Sequence, residues 1–295
     1  MSYVVTCATG KVGTSLVDYL RKHSVPIHVI IRSEEKAESF RSRNIQVTVA
    51  ELTNADALTK AFRGAKSVFA MNPTANDAPD LQVVAANVAD TFASAIKAAK
   101  VERVVVLSSI GSERSSKTGN IRTTYTLEQA LKETAPQVVM VRCASFTENW
   151  LDAVSAVKAG YSPVLCSMYQ RLDRKVPHIA TSDIGRVVGE YMIKPTNEVD
   201  NLVIIELEGP EPYSPNDIAK IVSEALGISV PAAAMTDEMI RDLLGKFGWP
   251  KTTADNFIEM RQGFDNDIIC WTNDEKAIRI KGVVTANEVL EKVLN

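Results

Sequence analysis

The chain has little with which to bind a metal or to build a disulfide framework. Its four cysteines, Cys7, Cys143, Cys166 and Cys270, lie far apart, and 295 residues contain three histidines. No Cys-x-x-Cys pair and no Cys/His ligand spacing occurs, which predicts a reduced, metal-free and cytoplasmic protein. It also lacks an apolar run of the roughly 20 residues that a bilayer helix needs. The sequence enters directly into Tyr3-Val4-Val5-Thr6 without a basic segment and cleavable apolar stretch before it, so neither secretion nor membrane insertion is expected. Charge of one sign is missing too. The formal net charge is −3, and the densest basic stretch, Arg171 to Lys175, is broken by Asp173. A nucleic-acid partner therefore has no electrostatic footprint here. Internal repeats and low-complexity segments are absent.

What remains is an ordinary globular composition, 45% hydrophobic, with enough apolar surface for a full core. Up to Arg142, short β-branched runs alternate with helical patterns. Tyr3–Thr6, Ile27–Ile31, Gln46–Val49, Ser67–Met71, Val104–Ser108 and Val138–Arg142 read as buried strands. Helices are expected over Val12–His23, Lys36–Arg41, Ala55–Phe62, Leu81–Ala99 and Thr124–Lys132. Parallel strands need crossovers, so this rhythm predicts an α/β fold, a doubly wound parallel sheet of the Rossmann type. Beyond Arg142 the rhythm loosens. Thr181-Ser182-Asp183 predicts a capped helix through Met192, and Leu202–Leu207 a strand. Ser214-Pro215-Asn216-Asp217 and Thr285-Ala286-Asn287-Glu288 read as helix starts, with further helices over Asp237–Phe247 and Thr253–Gln262. Residues 1–150 are thus read as a dinucleotide-binding domain and 151–295 as a smaller α/β lobe. The lobe would lie on the sheet's carboxyl edge, leaving a small-molecule substrate cleft between the two.

The most informative segment is Val4-Val5-Thr6-Cys7-Ala8-Thr9-Gly10-Lys11-Val12-Gly13, a strand, a tight turn and a helix start. Unpaired amide hydrogens and the helix dipole make such a turn a pyrophosphate site. Gly10 would let the backbone approach the phosphates, and Gly13 would let helix and strand pack closely. An NAD site usually carries an acid at the end of the second strand, to grip the ribose 2′-hydroxyl. Here that strand ends in Arg32, followed by Ser33 and Lys36, which suits a 2′-phosphate and favours NADP(H). Glu34 and Glu35 would oppose this if they faced inward.

The turn resembles the GATGxxG signature of the atypical short-chain dehydrogenases, and specifically of the NmrA-like family. Ser108-Ser109-Ile110-Gly111, Gly119-Asn120-Ile121, Glu128, Arg142 and Phe146-Thr147-Glu148-Asn149-Trp150 continue the likeness. Ser182-Asp183-Ile184 and Tyr213-Ser214 extend it to the second lobe. The resemblance implies NADP(H) as cofactor. It places Cys7, Thr9, Gly10, Lys11, Val12 and Gly13 at the pyrophosphate, and Glu51 and Leu52 beside the adenine. Met71, Asn72 and Pro73 would pass the adenosine ribose and diphosphate. Phe146, Glu148 and Asn149 would lie near the nicotinamide.

Two departures bear on function. The first glycine of the signature is Cys7, which reads either as an inert buried cysteine or as a redox-sensing thiol that blocks the turn when oxidised. The Tyr-x-x-x-Lys pair with which short-chain dehydrogenases protonate a carbonyl is absent from the helix after the fifth strand. Setting the register from Glu128 and Leu131 puts Asn120 and Thr124 at those positions, whereas Tyr125 is followed by Gln129. Tyr125, Ser108 and Ser109 remain as candidate catalytic groups, able to orient a substrate oxygen.

Two readings follow, with a third behind them. The first is an NADP(H)-dependent oxidoreductase for a flat apolar quinone, enone or aromatic metabolite, which delocalises charge and needs no tyrosine proton. The second is a redox-sensing regulator that binds NADP(H) without turnover and passes its occupancy to a protein partner. A family member recruited for non-redox biosynthetic chemistry is the third.

Overall fold

The computed structural model describes residues 2–272 and 274–295. Its first half alternates strands and helices: β1 (Ser2–Thr6), α1 (Lys11–Lys22), β2 (Ile27–Ile31), α2 (Glu38–Arg41), β3 (Gln46–Val49), α3 (Ala55–Phe62), β4 (Ala65–Ala70), α4 (Leu81–Ala99), β5 (Arg103–Ser109), α5 (Arg122–Leu131) and β6 (Gln137–Cys143). The second half adds β7 (Ser145–Phe146), α6 (Leu151–Lys158), β8 (Leu165–Ser167), β9 (Val176–Ile179), α7 (Thr181–Ile193), β10 (Leu202–Glu208), β11 (Pro212–Tyr213), α8 (Pro215–Leu226), β12 (Ala232–Ala234), α9 (Asp237–Lys246), α10 (Lys251–Asp265), β13 (Ile278–Lys281) and α11 (Ala286–Leu294).

Eight strands form one sheet in the order β13-β10-β6-β5-β4-β1-β2-β3, every pair parallel. Successive side chains on a strand point to opposite faces, so the continuous apolar runs must bury both. Val5, Val29, Val105, Val139 and Val141 face α1 and α7, packing on Val12, Leu16, Ile184 and Val188. Val4, Ile30, Val68, Val104 and Val138 face α3, α4 and α5, meeting Phe62, Phe92, Leu127 and Leu131. Each such side chain contributes on the order of 1.5–3 kcal/mol by leaving water. The strand order reverses direction between β1 and β4, and a ligand crevice opens at such a reversal, outside the carboxyl ends.

The rest of the chain is interleaved with the sheet rather than standing apart from it after residue 150. It supplies the last two strands, β10 and β13, and the helix α7 on one face. Apart from the sheet, α6, α8 and α11 surround one small core, and α9 with α10 another. Phe264 and Ile269, following α10, close over Ile110 and Ile121.

Several expected helices begin or end differently. The Lys36–Arg41 pattern resolves into a 3-10 turn at Glu34–Lys36 and the four residues of α2. The Thr181-Ser182-Asp183 start has Ala180 as its cap residue, and no side chain of the local segment caps it. Thr181 N–H is instead satisfied by the Glu148 carboxylate, at 2.9 and 3.1 Å, from 33 residues away. Asp183 turns to the other side, accepting from Val283 N at 2.8 Å and Val284 N at 2.9 Å and so clamping the segment after β13.

Candidate functional site

The turn after β1 is held by its own backbone. Thr6 Oγ1 donates to Phe69 O at 2.8 Å, fixing the strand end, and Gly10 N donates to Cys7 O at 3.0 Å, closing the loop. Gly10 is the cap residue of α1, and no side chain caps that helix. Its first amide hydrogens therefore face an anion position without a protein acceptor in the way. The two glycines do different work. A Cβ on Gly13 would stand 2.3 Å from Cys7 O and 2.8 Å from Ala8 Cα, so α1 could not approach the strand. A Cβ on Gly10 would meet Cys7 O at 3.4 Å, an ordinary contact; its openness serves the ligand. Thr9, Gly10 and Lys11 are exposed, whereas Val12 is buried in the core and offers the site its backbone alone. A pyrophosphate fits this cradle.

Cys7 takes the backbone conformation of the glycine it replaces, with φ at 52°. That left-handed geometry costs a non-glycine residue about 1–2 kcal/mol. Burial pushes the thiol up to about 11, against a partial opposing pull from the Arg32 cation and a hydrogen bond with Thr6. A thiol so protonated at neutral pH is a poor target for oxidants.

At the end of β2, Arg32 and Lys36 are exposed and Ser33 is half-buried. Glu34 is turned aside, its carboxylate 2.5 Å from Arg41 NH1 at the surface. Beyond the third strand Glu51 is exposed, but Leu52 packs in the core with Leu58 and Phe62. The Leu52 side chain therefore belongs to the fold and not to an adenine wall. Met71, Asn72 and Pro73 follow β4, which pairs with β1 at the strand-order reversal, and all three are half-buried. Asn72 Nδ2 donates to Thr123 O at 2.8 Å, and its Oδ1 is buried without a partner.

The candidate catalytic groups are not equivalent. Ser108 is buried at the end of β5, where its hydroxyl donates to Glu128 Oε1 at 2.5 Å. Glu128 is in turn held by Arg142, through Nε at 2.9 Å and NH2 at 2.8 Å. Burial works against the Arg142 charge, but the hydrogen bonds and attraction of Glu128, with Glu113 and Glu206 nearby, outweigh it and raise the guanidinium's pKa. Ser108 is thus engaged in a buried ion pair, which removes its hydroxyl from a substrate. Ser109 is half-buried and bonds Ile110 O at 3.2 Å. Tyr125 is half-buried on α5, and among the described residues its hydroxyl makes no hydrogen bond. Thr124 Oγ1 lies 2.5 Å from Ser112 Oγ, and Asn120 keeps a buried Oδ1 without a partner. α10 lies across this loop so closely that a Cβ on Gly119 would meet Asn256 O at 1.9 Å.

On the far side of the crevice Phe146 is half-buried and Asn149 exposed. The Glu148 side chain points away into the structure, toward Thr181, while its carbonyl accepts from Lys11 Nζ at 3.5 Å. Its contribution is to tie the post-β6 loop to α7 and to the glycine turn, and not to contact a nicotinamide through its carboxylate. His178, outside the candidate set, is sealed: Nε2 accepts from Trp150 Nε1 at 3.0 Å and Nδ1 donates to Val176 O at 2.7 Å. Burial, against the opposing bond to Val176, lowers its pKa to about 4, so it stays neutral. The Ser108–Glu128, Glu128–Arg142, Glu148–Thr181 and Trp150–His178 partnerships are not legible from local spacing, because each joins residues distant in sequence.

Among the described residues no group of three His, Cys, Asp or Glu side chains is placed to hold a metal ion, and no helix is long and apolar enough to cross a membrane.

The chain matches the model of the NmrA-like family over residues 2–281. It is similar to the NAD(P)H azoreductase of Xenophilus azovorans, at 25% identity over 260 residues, 87% of this chain and 85% of the azoreductase. Two solved structures share the fold along nearly their whole length. Triphenylmethane reductase of Citrobacter sp., complexed with NADP(H), has a TM-score of 0.81 at 17% identity, covering 99% of this chain and 100% of the reductase. The NADPH-dependent quinone oxidoreductase of Escherichia coli, complexed with NADPH, has a TM-score of 0.80 at 19% identity, covering 99% and 100%.

Proposed function

The chain belongs to the NmrA-like family, and on that premise we propose that it is an NADP(H)-dependent oxidoreductase for flat, conjugated acceptors of the quinone, enone or azo class. What supports this reading is the uncapped α1 terminus with an open Gly10, together with Tyr125, which Gln129 and not lysine follows four positions on. The relatives' activities point the same way: an azoreductase, a triphenylmethane reductase and a quinone oxidoreductase.

When bound, the cofactor supplies a hydride from its nicotinamide ring. The work of the protein is to hold and orient. The backbone N–H groups of Lys11, Val12 and Gly13 would bind the pyrophosphate, and Arg32 with Lys36 would neutralise the 2′-phosphate. Met71 to Pro73 would flank the ribose and diphosphate, Glu51 the adenine edge, and Phe146 with Asn149 the nicotinamide end. Tyr125 and Ser109 would orient the acceptor's oxygen or nitrogen by hydrogen bonds. A conjugated acceptor spreads the arriving negative charge and takes its proton from water, so no side chain with a tuned pKa is required.

The alternative, an NADP(H)-binding redox sensor without turnover, drew on the missing Tyr–Lys pair and on Cys7; the burial and raised pKa of that thiol speak against the thiol part of it. The test is acceptor-dependent NADPH oxidation across quinones, enones and azo dyes. Turnover with at least one class, abolished by Gly10→Asp, is the expected result. Absence of turnover with every acceptor, while NADPH binds, would sink the proposal.

A further inference from the structure

Among the described residues, eight buried side-chain atoms find no hydrogen-bond partner, and three of them belong to the surroundings of one turn, at the start of α5. They are Thr118 Oγ1, Asn120 Oδ1 and Asn72 Oδ1. Thr118 and Asn120 stand on either side of Gly119, where a 3-10 turn leads into the helix. Asn72 arrives from the loop after β4. Its Nδ2 donates to Thr123 O at 2.8 Å, and the Thr123 hydroxyl in turn donates to Asn120 O at 2.8 Å. One residue of α5 thus joins the two asparagines. The bond from Nδ2 also fixes the sense of the Asn72 amide, so that its Oδ1 is an acceptor with nothing to accept.

The turn is closed from behind. A Cβ on Gly119 would meet Met260 N at 2.6 Å, so the backbone of α10 lies directly against it. At the start of α10, Thr252 Oγ1 donates to Pro79 O at 2.8 Å and Thr253 Oγ1 to Ala78 O at 3.3 Å, which ties that helix to the loop carrying Asn72. Thr118 is fully buried, whereas Asn72 and Asn120 are only half-buried and keep an open side. A buried acceptor left unmade is costly, and several around one turn mark a position that something outside the chain completes. The chemistry is narrow. Two carboxamide oxygens can only accept, the threonine hydroxyl can accept or donate, and none of the three side chains is charged. They suit a neutral nitrogen that carries hydrogen, and they offer nothing to an anion.

We infer that Asn72 and Asn120, with Thr118 behind them, receive an N–H group on the acceptor, so that amino-substituted conjugated acceptors are preferred over analogues without that hydrogen. The inference rests on the oxidoreductase reading above and names a substrate class within it. Tyr125, five residues beyond Asn120, would then meet the reacting end of the same molecule.

The test is spectrophotometric titration of the full chain, loaded with NADP⁺, with two isomeric dyes. 4-(Ethylamino)azobenzene-4′-sulfonate keeps the N–H, and the dimethylamino isomer lacks it. The wild type should bind the first about tenfold or more tightly, as expected of a site whose polar groups would otherwise stay unpaired. Asn120→Leu should bring the ratio close to one, Asn120→Asp should keep part of it, and the isosteric Thr118→Val should lower it. Melting curves identify any variant that fails to fold. Equal binding of the two dyes by the wild type would overturn the inference, as would a ratio that survives both Asn120→Leu and Thr118→Val. The nicotinamide carboxamide also carries N–H groups, so NADPH is compared with its 3-acetylpyridine analogue. If Asn120→Leu erases a preference for NADPH over that analogue and spares the dye ratio, the cofactor occupies the position and the inference falls. Binding of neither dye would overturn it too. NADPH oxidation by quinones, measured separately, decides whether the oxidoreductase reading falls with it.

Discussion

At the scale of single residues, the turn after β1 separates two duties that the motif alone presents together. Gly13 is a packing glycine, with carbonyl Cys7 O only 2.3 Å from where a Cβ would stand, whereas Gly10 is an access glycine. Gly13→Ala should therefore cost about 3 kcal/mol or more through overpacking against backbone. Gly10→Ala should unfold at the wild-type denaturant midpoint and still weaken NADPH binding. Denaturant titration of both variants checks the contrast. Cys7 makes the complementary point. A thiol pushed up to about 11 should resist maleimide at neutral pH, while exposed Cys270 labels first. Mass spectrometry after brief labelling should find the adduct on Cys270 and NADPH binding unchanged; rapid labelling of Cys7 would revive the sensor reading.

Among the elements, α7 is held at both ends and laid on α1 by contacts from distant parts of the chain. Glu148 caps its start, Arg103 donates to Tyr191 O and Lys194 O, both at 2.7 Å, at its end, and Gly185 and Gly189 let it lie directly on α1. A Cβ on Gly185 would meet Leu16 N at 2.7 Å. Gly185→Ala should thus lower the melting temperature by several degrees and weaken NADPH binding by shifting α1, which differential scanning fluorimetry with and without NADPH would detect. The buried Glu128–Arg142 pair beneath Ser108 is a second such device. Glu128→Ala should destabilise by about 3–5 kcal/mol, because it strands a buried guanidinium.

Elements also mark how far the sequence could be read. β2, β3, α3 and α4 have the residue bounds that periodicity predicts, since β-branched runs and an amphipathic stripe are local signals. The capping boxes at Ser214/Asp217 and Thr285/Glu288 are present for the same reason. β13 was not legible: Ile278-Arg279-Ile280-Lys281 is short, charged and a sheet edge, and only its pairing with β10 makes it a strand. Thr181 and Asp183 misled because their partners, Glu148 and the 283–284 backbone, come from afar. Near the candidate site, the glycine turn follows β1 and Arg32 follows β2, as the local strand signals place them. The turning-in of Ser108, Leu52 and Glu148 depends on tertiary partners that no spacing encodes.

For the molecule as a whole, burial of neutral histidine links stability to pH. His178 titrates near 4 in the fold against 6.5 when unfolded, and His28 is lowered as well, chiefly by burial. Between those limits the unfolded chain binds the extra proton, so stability falls as pH drops from about 6.5 toward 4. A shift of this size corresponds to roughly 3 kcal/mol from His178 at the acid end. Chemical denaturation at pH 7 and pH 4.5 should show the loss in the wild type and a shallower one in His178→Gln.

The whole molecule sets an uncapped, glycine-lined helix start beside the β1/β4 reversal of a parallel sheet, and the proposed function makes that crevice the place where a conjugated acceptor is reduced. The most direct test is single-turnover mixing of NADPH-loaded protein with a para-quinone or with a saturated ketone, following the nicotinamide absorbance. The account predicts rapid oxidation of NADPH by the quinone, little changed in Ser108→Ala once its lower stability is allowed for, and none by the ketone. Reduction of the ketone at a comparable rate would contradict it, as would failure of the quinone to oxidise bound NADPH.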